Sequence, residues 1–364
     1  MINEKLLKNE ELAVYRLREL YSSFGYTQYK MSKFEEYDLY VRNKDFLISD
    51  RIITFTDTNG KLLALKPDVT LSIINNFGKS VDGIQKMYYN ENVYRVSGGT
   101  GKFKEIMQTG LECIGKISLY EITEVLYLAI KSLQLTDSNF SLELSHAGLM
   151  NALLSDVGIS DKIMDLVLQS VKLKSTGACE EMLKSGKLTE QQFELIKAFT
   201  VNYSDIYSFN KAFCEFINSE ECKKHFDEFQ AIISGVNFDE FKGKLTINFS
   251  LSSDAGYYSG IVFKGYIAGI PTSVLSGGQY DTLIKKFIND GGAVGFAVYL
   301  DNFERFKLAT PEYDVDTILL VDKNDKPQEI LKTAEKIKST GDSVLIQTEL
   351  PQNIRYRRVV RMEG

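Results

Sequence analysis

Met107-Gln108-Thr109-Gly110-Leu111-Glu112 lies inside a longer apolar run, Ile106 to Ile114, and carries two polar residues four positions apart. Side chains of an extended strand alternate between faces, so this even spacing sends Gln108 and Glu112 to the same side. Polar groups on an otherwise apolar strand cost free energy unless something pairs with them, which makes that face a candidate for ligand contact. A solvated strand face is the plain alternative. A second apolar run, Ile84 to Val93, stands across Ser97-Gly98-Gly99-Thr100-Gly101, and Arg95 closes it. The spacing therefore predicts a long strand–loop–strand unit.

Working upstream, Ile53 and Phe55 alternate with Thr54 and Thr56, and Leu63 and Leu65 resume the alternation. Asn59-Gly60 between them reads as the positive-φ pair of a tight hairpin. The segment Leu65-Lys66-Pro67-Asp68-Val69-Thr70 follows, and Asp68 suits either a ligand or the cap of a helix beginning near Thr70. Apolar spacing from Lys5 to about Ser23, stopped by Gly25, predicts an N-terminal helix.

Downstream, Ser118-Leu119-Tyr120-Glu121 has capping-box spacing, and Leu119, Ile122, Leu126, Ala129, Ile130 and Leu133 continue one helical face. Phe140 to Leu144 reads as a strand, and residues 150–240 read as a helical block inserted between strand-rich segments. Further strands are expected at Leu245 to Leu251, Gly260 to Ile267 and Thr272 to Leu275. Tyr257 and Tyr258 precede Gly260 and suit either a ligand or the core. Ser276-Gly277-Gly278-Gln279-Tyr280-Asp281 reads as a turn from strand into a helix through Ile288. After Pro311 comes a separate small α/β unit: strand Thr317 to Val321, helix Lys326 to Lys338 and strand Ser343 to Gln347. Its last basic cluster, Arg355-Tyr356-Arg357-Arg358, is expected to be a solvated tail or a partner contact.

Composition narrows the function classes. With 364 residues, 44% hydrophobic and only 5 Pro, the chain is neither disordered nor collagen-like. Its four cysteines, Cys113, Cys179, Cys214 and Cys222, read as reduced thiols of a cytoplasmic protein. The N-terminus mixes charges where a signal peptide would be apolar, and no apolar run is long enough to span a membrane. A formal charge of −6 argues against an extended phosphate-binding surface. Two histidines, His146 and His225, leave little material for Ser/His/Asp catalysis. Cys222 and His225 are three apart without a second ligand pair, so neither metal nor cofactor is expected.

Taken in order, these segments resemble the catalytic domain of class II aminoacyl-tRNA synthetases, and specifically the histidyl-tRNA synthetase family, over residues 1–310. Leu65-Lys66-Pro67-Asp68-Val69-Thr70 resembles its Leu-Arg-Pro-Glu-Gly-Thr, and Arg95 through Glu112 its motif 2. Ala255-Gly256-Tyr257-Tyr258-Ser259-Gly260 resembles its histidine signature; Gly277-Gly278-Gln279-Tyr280-Asp281 with Ala293-Val294-Gly295-Phe296-Ala297 resembles its motif 3 region. The resemblance implies an α+β fold, a six- or seven-stranded antiparallel sheet flanked by helices, with a histidine pocket on the sheet. It implies that Asp68, Thr70 and Gln108 hold the amino-acid ammonium, that Glu112 and Tyr258 read the imidazole beside Tyr257, and that Gly277 and Gly278 form pocket backbone. Arg95 and Lys102 are then possible phosphate contacts.

The departures from the family concern phosphate. Ser253 stands where the family has an arginine at the reacting α-phosphate, Gly256 replaces an aspartate, and Asn302 replaces the arginine that ends motif 3. Lys102 and Lys104 replace motif 2 arginines, and lysine cannot reproduce a bidentate guanidinium. Losing one preorganised donor costs about 10²–10³ in rate. This pattern resembles the regulatory-subunit branch of the family, which implies a non-catalytic homodimer that binds the short catalytic subunit of ATP phosphoribosyltransferase, with L-histidine as a ligand and no tRNA. A divergent histidyl-tRNA synthetase is the alternative. The expected domains are a synthetase-like domain over 1–310 with the helical insertion at 150–240, and the small α/β unit over 311–364.

Overall fold

A computed structural model of the chain describes residues 7–43, 52–76, 83–96, 101–241, 243–253, 258–287, 291–301 and 312–362. The chain divides into two compact units, Met1–Phe306 and Lys307–Gly364. The first opens with α1 (Asn9–Ser23), β1 (Thr27–Gln28), β2 (Phe34–Glu36), α2 (Tyr37–Val41), β3 (Thr54–Thr56), β4 (Leu62–Leu65) and α3 (Val69–Asn76). Then come β5 (Ile84–Val96), β6 (Phe103–Gly115), α4 (Leu119–Thr136) and β7 (Phe140–His146). The helical block consists of α5 (Ala147–Asp156), α6 (Asp161–Leu173), α7 (Gly177–Lys184), α8 (Glu190–Thr200), α9 (Ile206–Phe213) and α10 (Glu220–Gly235). The unit closes with β8 (Leu245–Ile247), β9 (Ile261–Ile267), β10 (Leu275–Gln279), α11 (Asp281–Ile284) and β11 (Gly292–Tyr299).

The main sheet has eight strands in the order β1-β5-β6-β11-β10-β9-β7-β8. The six inner strands are antiparallel throughout, while the short edge strands β1 and β8 add in parallel to β5 and β7. Those two edges account for the count above the expected six or seven. Along β6, Leu111 and Cys113 face the large core built with α1 and α4, whereas Ile114 joins Met87, Tyr89 and the buried side of α3 and α11. Strand alternation thus gives β6 one face toward each helix layer. Gln108 and Glu112 share the parity of Ile114 and lie on the α3 side.

Local chemistry explains the elements that frame the sheet. Ser118 caps α4 by accepting from the Tyr120 amide while Glu121 reaches back to the Ser118 amide, an arrangement worth about 1 kcal/mol. The helical block shares the core of the sheet: Phe199, Phe209, Phe213 and Phe229 belong to one cluster with Leu142 and Leu144 of β7. The small sheet β2-β4-β3 carries the expected hairpin, but only Gly60 takes positive φ. Asp57 replaces the second left-handed residue by accepting from the Asn59 and Lys61 amides, both at 2.8 Å.

Three segments of the first unit differ from expectation. The strand expected to run from Leu245 to Leu251 ends at Ile247, and a 3-10 helix, Phe249–Ser253, follows. Residues 272–274 are not strand; β10 begins at Leu275 and runs through Ser276-Gly277-Gly278-Gln279, where a turn was expected. Glycines inside a strand mark close backbone approach, and here β10 is pressed between β9 and β11. The helix that follows is short, Asp281–Ile284.

The second unit holds β12 (Val315–Leu320), α12 (Pro327–Lys338), β13 (Val344–Gln347) and β14 (Tyr356–Arg361), in an all-parallel sheet β13-β12-β14. Leu319 packs with Ala334 and Ile337 of α12. The arginine cluster is not a tail: its guanidinium groups pair with carboxylates of this unit while the side chains stay about half exposed. Arg355 pairs with Asp314 at 2.7 Å and Arg358 with Asp342 at 2.7 Å, while Arg357 pairs with Asp342. β14 is an edge strand, where charged side chains are tolerated and the alternation of a buried strand is absent.

Candidate functional site

The site grows from three elements that meet on the α3 face of the sheet. β6 supplies Gln108 and Glu112, both buried. Its register sets Gln108 beside Tyr299 of β11 and Glu112 beside Gly295. A methyl group on Gly295 would sit 1.9 Å from Oε2 of Glu112, so only a glycine leaves room for the carboxylate.

The second element is the start of α3. Oδ1 of Asp68 accepts from the Leu71 amide at 3.0 Å, so the helix-cap reading of this residue holds. Thr70, in the first turn, donates from Oγ1 to Oε1 of Glu112 at 2.9 Å. Arg95, near the end of β5, donates from Nε to the Pro67 carbonyl at 2.9 Å, and its charge acts on Asp68. Burial pushes the Asp68 carboxyl up, while Arg95 and the α3 amides pull it back.

The third element is the strand-to-helix passage after β10. Tyr280 donates its hydroxyl to Oε2 of Glu112. Asp281 fixes that passage, accepting from the Ala293 amide at 3.0 Å and from Gln279 Nε2 at 2.7 Å. Tyr258 lies over Gly278, where a Cβ would come within 2.7 Å of its ring. Gly277 is the neighbouring register step, opposite Phe296.

Both oxygens of Glu112 accept from hydroxyls. The groups acting on it are Tyr280, Thr70 and the carboxyl of Asp68, and no described residue brings it a cation. Burial, the largest cause, pushes its carboxyl up to about 8; the two hydroxyl bonds oppose that and Asp68 adds to it. Tyr258 and Tyr89 are pushed up by burial and by the same carboxyls. Nε2 of Gln108 is buried without a hydrogen-bond partner, a donor on offer to an acceptor such as a carboxylate. The arrangement presents an acid, phenols and an amide to a small ligand that carries both a basic nitrogen and an acceptor.

The structure thus brings Asp68, Thr70, Gln108, Glu112, Tyr258, Gly278 and Arg95 to one region, whereas Gly277, expected there too, is turned with Phe296 to the other face of the sheet. Lys102 is exposed at the loop end of the β5–β6 hairpin, about 20 Å along the strand from Gln108. Tyr257, Gly256 and Asn302 lie outside the described residues. Tyr280 and Gly295 are contacts that the residue reading did not assign, although both fell within quoted segments. A tyrosine beside paired glycines was the available signal.

The two histidines also meet, on the other side of the Ser259 segment. His146 and His225 have ring centroids 5.4 Å apart, and Oε2 of Glu228 lies 3.7 Å from His146 Nε2 and 3.5 Å from His225 Nδ1. Nδ1 of His146 accepts from the Leu149 amide at 3.0 Å, capping α5. Burial lowers the His146 pKa to about 4, so the ring is neutral and its proton sits on Nε2, the atom facing Glu228. Metal ligation needs the opposite arrangement, a bare ligating nitrogen with the other nitrogen donating. At His146 this is not the arrangement of a ligating ring, although the ligand atoms of His146, His225 and Glu228 lie within 4.8 Å of one another; Cys222 is engaged elsewhere, with Asp156 at 3.4 Å.

Comparison with known proteins places this geometry in a wider set. The family model described as Histidyl-tRNA synthetase matches residues 2–303. A protein of Clostridium kluyveri named ATP phosphoribosyltransferase regulatory subunit is 31% identical over 294 residues, covering 78% of this chain and 74% of that one. An ATP phosphoribosyltransferase regulatory subunit/histidyl-tRNA synthetase from Bacillus halodurans has a similar fold, with TM-score 0.77, 24% identity and coverage of 98% and 94%. A chain of the ATP phosphoribosyl transferase (HisG:HisZ) complex from Thermotoga maritima aligns with TM-score 0.63 and 19% identity, covering 80% of this chain and 97% of that one.

Proposed function

The chain belongs to the histidyl-tRNA synthetase family, and from that premise we propose that it serves as a regulatory subunit of ATP phosphoribosyltransferase in histidine biosynthesis, with no synthetase chemistry of its own. The observation that carries the reading is its identity to the regulatory subunit of Clostridium kluyveri across three quarters of both chains. The regulatory assignment extends to a catalytic-subunit partner in a hetero-oligomer. The Thermotoga maritima complex, which shares the fold, supports that choice of partner.

The finer parts of the reading rest on chemistry. Ser253 and Asn302 occupy positions where the family carries arginines against the nucleotide, and neither side chain can neutralise a phosphate. The amino-acid side of the pocket keeps its parts: Asp68, Thr70, Gln108, Glu112 and Tyr258, with Tyr280 added. In this reading L-histidine occupies that pocket, Tyr257 contributes beside Tyr258, and Arg95 steadies Asp68. The protein takes no tRNA and works in the cytoplasm; no helix among the described residues is long and apolar enough to cross a membrane. Histidine can alter the activity of the assembly only as far as it binds the active and inactive states unequally.

The test is histidine-dependent exchange of pyrophosphate into ATP by the purified chain. The proposal expects exchange at the level of a protein-free control. Exchange at a rate ordinary for a synthetase would establish the rival reading, a divergent histidyl-tRNA synthetase.

A further inference from the structure

Among the described residues, the buried carboxyl of Glu112 meets only hydroxyls and another acid. Thr70 and Tyr280 take one oxygen each, Gly295 clears the space beside Oε2, and Asp68 adds negative charge from the start of α3. Such a group is poorly placed to carry its charge alone in the empty pocket. It becomes well placed when a ligand supplies a basic nitrogen, because the proton can then lie between carboxyl and ring.

We propose that the pocket holds its ligand through a single proton shared between Glu112 and a basic heterocyclic ring, so that the complex carries one proton on this pair at any pH near neutrality. The inference rests on the histidine reading above and specifies how that site works. On binding, the Glu112 carboxyl gives its proton to the unprotonated ring nitrogen. The carboxylate that results stays bound to the Thr70 and Tyr280 hydroxyls and faces an imidazolium. No bond other than O–H and N–H changes.

The consequence is a proton balance that changes sign. In the empty protein the Glu112 carboxyl loses its proton at about 8, and a free imidazole gains one near pH 6.5. Between these limits protein and ligand together hold one proton, and binding exchanges none with the buffer. Below them two protons are present and one is released; above them none is present and one is taken up. Affinity therefore peaks in the window and falls up to about tenfold per pH unit on either side.

Other groups around Glu112 do not produce this pattern. Tyr89 of β5, Tyr258 and Tyr280 are phenols, and burial moves Tyr89 and Tyr258 further above the usual range. Tyr299 of β11 lies beside Gln108. Asp68 faces the same space, and burial pushes its carboxyl up against the pull of Arg95 and the α3 amides; Arg95 gives it a cation partner that Glu112 lacks among the described residues.

The experiment is titration calorimetry of the full chain with L-histidine from pH 5.5 to 8.8, in pairs of buffers that differ in ionisation heat. The expected result is proton release at the acid end, uptake at the alkaline end and a crossing through zero between. An alanine bearing a triazole ring, whose basicity is far lower, should bind at least tenfold more weakly and lose the acid limb. Glu112→Gln should abolish alkaline uptake; if that variant does not fold, the wild-type profile and the triazole comparison decide the matter. Histidine binding with no proton exchange across the range overturns the shared proton and leaves the histidine site standing. Absence of histidine binding at every pH overturns the site itself.

Discussion

Thr70 Oγ1 donates to Glu112 Oε1 across 2.9 Å, tying the first turn of α3 to the middle of β6. The bond joins two segments far apart in the chain and gives the buried acid one of its two donors. In the proposed reading it makes α3 part of the histidine site rather than a bystander to it.

Thr70→Val keeps the shape of the side chain and removes that donor. Leaving a buried acceptor without its partner costs about 1–3 kcal/mol, so the histidine dissociation constant should rise about tenfold or more. Thr70→Ser, which keeps the hydroxyl, should restore most of the affinity. Calorimetry on the three proteins checks the order wild type, Ser, Val.

Gly295→Ala places a methyl group 1.9 Å from Oε2 of Glu112 and 2.5 Å from the Leu111 carbonyl, neither of which has room to retreat inside the sheet. Overpacking of this kind costs about 1–3 kcal/mol, which lowers the melting temperature by about 1–2 °C per kcal/mol in a protein of this size. Thermal unfolding should register the loss, and histidine binding should disappear with it.

The stability of the empty protein should depend on pH through Glu112. Its folded pKa, about 8, lies above the ordinary value of 4.5, so the folded state binds the proton more tightly than the unfolded one. The associated stability is fully present below about 4.5 and is lost as pH rises toward about 8, by up to about 1.4 kcal/mol per pH unit within that window. Urea midpoints should fall from pH 6.5 to pH 8 for wild type and much less for Glu112→Gln; between pH 5 and 6.5 the His146 ring, whose pKa burial lowers to about 4, offsets the Glu112 loss with a gain of similar size.

Zinc should leave the melting temperature unchanged to within about 1 °C when added in equimolar amount, since a ligand specific to the folded state would raise it. His146→Asn should keep most of the stability, because asparagine also caps a helix, whereas His146→Ala loses about 1 kcal/mol for the cap alone. A zinc-induced rise that vanishes in His146→Asn would contradict the assignment of the His146 proton to Nε2.

Much of this architecture is written in local pattern. The parity of Gln108 and Glu112 puts both on one strand face, and the capping box at Ser118 starts α4 where its spacing says it should. Other parts depend on information that is not local. Ser276-Gly277-Gly278 has the composition of a turn, and it becomes strand because β9 and β11 press on it from both sides. β14 escaped notice because arginines interrupt its alternation; Asp314, Asp316 and Asp342, supplied from other segments, neutralise them. His146 and His225 come together only through the packing of α10 on α5, which no spacing encodes. Tyr280 lay inside a quoted segment, yet its role appears only when Glu112 is set opposite it.

The most direct test of the regulatory reading is reconstitution with a short-form ATP phosphoribosyltransferase catalytic subunit, measuring formation of the phosphoribosylated nucleotide with and without this chain. The expected result is activity at least tenfold above that of the catalytic subunit alone, and sensitive to L-histidine. A catalytic subunit equally active in the presence and absence of the chain, with no complex formed between them, would contradict it.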